Sequence, residues 1–192
     1  MRKLALFATL ALAIGIKAAA AHTFGAWGAG PAEGFLHPLG GLDHMLAMIA
    51  VGMWATQQGG RAQWALPVAF VLAMVGGAAL ALSGIILPGI ESGILASVLV
   101  LGLAISWGAR LPLWAPIAVV VAFAVFHGHA HGLELPEAAS PAGYAAGFVV
   151  ATAALHVVGI GLALGLRRLW GAVAVRSAGA AVLLGGLALV AG

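Results

Sequence analysis

Residues 111–134 read LPLWAPIAVVVAFAVFHGHAHGLE, and this stretch decides the solvent in which the chain folds. An α-helix needs about 20 apolar residues, at 1.5 Å rise each, to cross ~30 Å of hydrocarbon. From Leu113 to His131 there is no Asp, Glu, Lys or Arg. A surface helix of a soluble protein would show charges along one face at 3.6-residue spacing; here polar residues arrive only in the last turn, as three histidines and a glutamate. Outward from this block the same length recurs. The sequence predicts spans at Leu39–Thr56, Gln63–Ser83, Gly89–Ala109, Leu113–His131, Ala142–Leu166 and Gly171–Ala191. The breaks carry Gly, Pro and Arg: Gln57 to Arg61, Leu87-Pro88-Gly89, Arg110-Leu111-Pro112, Pro136 to Pro141, and Arg167-Arg168.

Composition agrees. Hydrophobic residues make up 64% of the 192 positions and charged residues 7%, against about 25% charged in soluble domains. So few charges cannot cover a soluble globule. The fold class expected is all-α integral membrane, a compact bundle of six transmembrane helices forming one domain over 22–192. Glycine pairs at small-x-x-x-small spacing, Gly143/Gly147 and Gly161/Gly165, are expected to let helices pack closely in the lipid bilayer. The absence of cysteine removes thiolate metal sites, iron–sulfur clusters and disulfides. Beyond the first 17 positions five arginines balance five acids, so there is no nucleic-acid face. No lysine follows Lys17, so there is no P-loop and no ATP site. Whether the chain forms a homo-oligomer is left open by the sequence.

Arg2-Lys3, an apolar run from Leu4 to Ile16, and Ala18 to Ala21 have the form of a secretory signal peptide over 1–21, which would leave His22 as the mature N-terminus. Arg61, Arg110, Arg167 and Arg168 occupy the first, third and fifth connections, and the second and fourth have no Lys or Arg. Positive residues mark the cytoplasmic side. Both mature termini are therefore expected to be periplasmic. Trp54, Trp64, Trp107, Trp114 and Trp170 fall at the same cytoplasmic boundaries, as interfacial rings would.

The remaining ionisable residues gather towards the other side. His37, Asp43 and His44 open the first span; Met48 continues the His37/His44 face, more readily as packing than as ligand. Glu91 opens the third span, with helix-dipole stabilisation as its plainer reading. His127, His129 and His131 end the fourth, with Glu134 just beyond, and His156 lies halfway through the fifth. His127 and His131 are i, i+4, a spacing that puts two imidazoles on one helical face for a metal. His129 would point away from them unless Gly128 and Gly132 loosen the backbone. An ionised Asp43 inside the bilayer demands a protein interior, a water-filled cavity or a cation. His22, once N-terminal, could chelate through its amine and ring together. Imidazole and carboxylate without thiolate suit Ni²⁺, Co²⁺, Zn²⁺ or Cu²⁺. The candidate metal residues are thus His22, His37, Asp43, His44, Glu91, His127, His129, His131, Glu134 and His156.

HPLGGLDH at 37–44 and FHGHAHGLE at 126–134, with the signal-like start and six spans, resemble the HupE/UreJ family of bacterial nickel permeases over essentially the whole chain. The resemblance implies a non-enzymatic role: secondary transport of Ni²⁺ across the bacterial inner membrane to supply hydrogenase or urease. It assigns His37, Asp43, His44, His127, His129, His131 and Glu134 to the metal. The alternative reading is an integral-membrane zinc-dependent hydrolase, with His127, His131, His44 and Asp43 around a metal-bound water. A serine-protease variant of that reading would pair Ser83 with His156.

Overall fold

The computed structural model describes residues 30–133, 135 and 140–191. The expected signal peptide, His22 and Glu134 lie outside the described residues. Among the described residues there are six helices: α1 (Pro31–Gly40), α2 (Leu42–Gln58), α3 (Ala62–Leu82), α4 (Ile90–Trp107), α5 (Trp114–Leu133) and α6 (Pro141–Ala191). Four are long and apolar enough to cross a membrane, or five if α1 and α2 together form one broken span, bent by 89°. The bend falls at Gly41, whose extended backbone ends α1 and starts α2. His37 and His44 therefore do not share one continuous helical face, although their spacing of seven residues, two turns of an unbroken helix, predicts one from sequence.

The fifth and sixth expected spans are joined in α6. Its 51 residues would reach about 77 Å if straight, far beyond a ~30 Å hydrocarbon layer. The helix breaks at Gly171, at φ 79° and ψ −173°, a conformation that costs a residue with a Cβ and not glycine. Sequence placed this break at Arg167-Arg168; those arginines continue the helix, and only glycine four positions on releases it.

Backbones meet closely where glycine removes the side chain. A Cβ on Gly77 or Gly128 would strike the partner backbone across α3 and α5, and one on Gly52 or Gly159 would do so across α2 and α6. Gly34 and Gly147 bring α1 onto the start of α6, and Gly102 admits Leu183 beyond the break. Gly147 thus packs as expected. Gly161 and Gly165 do not: no atom lies within 4 Å of a Cβ placed on either.

At the arginine-bearing end, polar pins close the bundle. Gln58 Nε2 donates to Ala109 O at 2.8 Å, and Leu111 N donates to Gln58 Oε1 at 2.9 Å. Arg176 donates to Trp107 O, setting a cation at the C-terminal end of α4, where the helix dipole favours it. Trp64, Trp107, Trp114 and Trp170 are exposed, in keeping with interfacial rings. Trp54 is buried in the apolar core and is no membrane anchor.

Candidate metal centre

Four helices bring their histidines together in a file. His37, half-buried on α1, meets His131 of α5 with ring centroids 4.8 Å apart. His131 meets His44 of α2 at 4.7 Å, and His44 meets His127, one turn deeper on α5, also at 4.7 Å. Phe70 of α3 lies 5.7 Å from His127, and His156 of α6 lies 5.1 Å from Phe70. The i, i+4 pair His127/His131 thus shares a face, and the broken α1–α2 unit supplies the opposite wall. Phe148 covers His131 at 3.9 Å, and Tyr144 stands 5.9 Å from His37.

Hydrogen bonds fix which nitrogen each ring offers. Asp43 Oδ1 accepts from His44 N at 2.7 Å and from His44 Nδ1 at 2.9 Å. The ring proton therefore sits on Nδ1, and neutral His44 carries its lone pair on Nε2. Ser97 sets His127. Its single hydroxyl proton goes to Ile94 O at 2.6 Å, since a carbonyl can only accept. Ser97 Oγ must then accept from His127 Nε2–H, 2.9 Å away, which leaves the His127 lone pair on Nδ1. Such partners set the tautomer and orientation of metal-ligating imidazoles. His44 Nε2, His127 Nδ1 and both nitrogens of His131 and of His156 are buried without a hydrogen-bond partner. Buried polar groups are otherwise nearly always paired, so these nitrogens fit a cation as partner.

Among the described residues, no three His, Asp or Glu side chains form a ready cage for a metal. The histidine rings meet edge to face, at 72–85°, so their nitrogens do not converge on one point. Ligation needs the rings to turn within the file.

Two expected ligands stand elsewhere. His129 faces away from the file and donates from Nε2 to Ile85 O at 2.7 Å, with Leu87 N 3.3 Å from the same nitrogen. Gly128 and Gly132 do not loosen α5, which is helical throughout; they admit α3, whose Met74 and Ala78 backbones leave no room for a Cβ. Glu91 is exposed in the first turn of α4, where it borders a shallow cavity with Leu87, Ala130 and Leu133, apart from the histidine file. Ser83, exposed at the end of α3, donates to Leu80 O and forms no dyad with His156. Sequence reasoning missed Ser97 and Phe70. A serine inside an otherwise apolar span was a readable signal for the first; nothing marks one phenylalanine among seven.

A family model described as HupE / UreJ protein matches residues 10–189, which include both histidine motifs. The chain belongs to the HupE/UreJ family. A relative named Protein HupE, from Rhizobium leguminosarum bv. viciae, is 48% identical over 165 residues, covering 85% of this chain and 85% of that protein. No solved structure matches. The HupE/UreJ membership and the apolar helices together make this a multi-pass membrane protein, and both histidine motifs that carried the resemblance meet in one file.

Proposed function

We propose that the protein is a secondary permease that imports a divalent transition-metal cation, Ni²⁺ first, from the periplasm across the bacterial inner membrane to supply nickel enzymes such as hydrogenase or urease. The observation that carries this reading is the file itself, in which buried ring nitrogens without hydrogen-bond partners succeed one another from His131 and His44 through His127 to His156. Co²⁺, Zn²⁺ and Cu²⁺ suit the same donors. In this reading the break at Gly171 divides α6 into a fifth and a sixth span, the arginine-bearing connections are cytoplasmic, and the file opens on the periplasm. A signal peptide over 1–21 would be removed, and His22 and Glu134 would add donors at the mouth.

Asp43 and Ser97 prepare lone pairs on His44 and His127; the cation exchanges water for imidazole as it enters. Moving two charges through ~100 mV yields roughly 4.6 kcal/mol, about a thousandfold accumulation. ATP is not needed. A zinc hydrolase would hold its ion in three fixed ligands and keep it, whereas conduction requires binding weak enough for release. Donors arranged in series support transit. The test is uptake of radiolabelled Ni²⁺, Co²⁺ and Zn²⁺ by cells expressing the chain, with and without a protonophore. Asp43→Asn keeps the shape and loses the charge; uptake should fall to background while membrane insertion is kept. Wild-type accumulation by that variant would return Asp43 to a structural role.

A further inference from the structure

We propose that His156 is a second metal-binding station, halfway through the membrane and separated from the outer histidines by the ring of Phe70. The inference rests on the permease reading and extends it inward. A buried histidine with a purely structural role hydrogen-bonds a neighbouring carbonyl or hydroxyl. His156 is 1% exposed, and neither ring nitrogen has such a partner.

Its position is rigidly set. On one side the α6 backbone at His156 lies against Gly52 of α2, where a Cβ would strike the His156 carbonyl. On the other the ring meets Phe70 at 87°. One turn along each helix, Thr152 Oγ1 donates to Met74 Sδ at 3.6 Å. Phe70 and Met74 on α3 thus face His156 and Thr152 on α6, all four residues buried. Imidazole suits Ni²⁺, Zn²⁺ and Cu²⁺; the hydroxyl and thioether are weaker donors a turn away. A station with one strong ligand, the rest of the shell being water, holds a divalent cation loosely and releases it onward, as a conduction path requires.

Phe70 makes the station separate. Its centroid is 5.7 Å from that of His127 and 5.1 Å from that of His156, whereas a metal–imidazole bond is about 2.0–2.1 Å. Among the ring contacts of the described residues, both imidazoles meet the phenyl ring and neither meets the other. Swinging that ring aside opens the step from His127 to His156.

The chain has no cysteine, so a His156→Cys variant carries a single thiol exactly where the station lies. The purified full chain in detergent is labelled with a small maleimide, with and without Ni²⁺. Ni²⁺ should slow labelling, and adding Phe70→Ala should speed it in the absence of metal. A labelling rate indifferent to Ni²⁺ would overturn the proposal. In cells, His156→Ala should lower Ni²⁺ uptake by roughly tenfold or more, with equilibrium Ni²⁺ binding to the outer histidines unchanged in the purified variant. Unchanged uptake, or outer binding lost in step with uptake, refutes the station. Failure of the wild-type chain to take up any metal would sink the permease reading instead, while thiol protection reads the station without transport.

Discussion

Replacing Ser97 by alanine removes one oxygen atom and should cost the outer site most of its affinity. In the native arrangement the Ser97 proton is committed to Ile94 O, so the hydroxyl accepts from His127 Nε2. Both residues are fully buried. With alanine at 97, His127 has two options. It can keep its proton on Nε2 with no acceptor, at a cost of about 1–3 kcal/mol for an unsatisfied buried donor. Or it can move the proton to Nδ1, which removes the lone pair used for the metal. Either way ligation weakens, and loss of such a supporting partner typically costs about 10- to 100-fold in metal affinity, which is about 1.4–2.8 kcal/mol. Thermal stability should fall by about the same 1–3 kcal/mol, the cost of a buried donor left without its acceptor. The assay is equilibrium Ni²⁺ binding to purified Ser97→Ala beside wild type, with melting followed on the same samples. Native affinity in a well-folded variant would refute the tautomer assignment, and so would an affinity loss reproduced by equally destabilising core substitutions elsewhere.

Three further outcomes follow from the same geometry. His44→Ala and His131→Ala should each remove most uptake, and the double variant should lose little more, because ligands of one ion act as a unit; multiplicative losses in uptake kinetics would mean two sites in series. His129→Ala should keep uptake and lower thermal stability by about 1–3 kcal/mol, since its ring ties α5 to the connection at Ile85 and not to the file; abolished transport in a stable variant would contradict that. A reporter active only outside the cytoplasm should work when fused after Gly192 and fail within the connection at Arg61, with the opposite pattern reversing the orientation.

Much of this molecule was legible because lipid imposes a simple rule: apolar blocks of span length and a shortage of charge leave only helices. The boundaries of α3, α4 and α5 fall within two residues of the sequence reading. The i, i+4 spacing of His127 and His131 likewise reads directly as one face. What failed were readings that depend on a single backbone angle or on three-dimensional neighbours. The bend at Gly41 and the break at Gly171 turn on one glycine each in a chain with 29. Whether Gly128 loosens a helix or lets another approach depends on where α3 runs, which no local pattern encodes. His129 looked like a third ligand because a one-dimensional string puts HGHAH together; a helix separates alternate residues by about 200°.

The close glycine contacts have a mechanical consequence. Gly77 and Gly128 lock α3 to α5, and Gly34, Gly147, Gly52 and Gly159 lock α1 and α2 to the first arm of α6. Backbone against backbone leaves no flexible side chain to absorb sliding, so each group behaves as a stiff leaf. Phe70, His127 and His131 ride on the first leaf; His37, Asp43, His44 and His156 ride on the second. Every link in the file, from His37–His131 to Phe70–His156, crosses the seam except His127–Phe70. A small tilt of one leaf against the other would therefore shift all of those crossing links at once and leave His127–Phe70 unchanged.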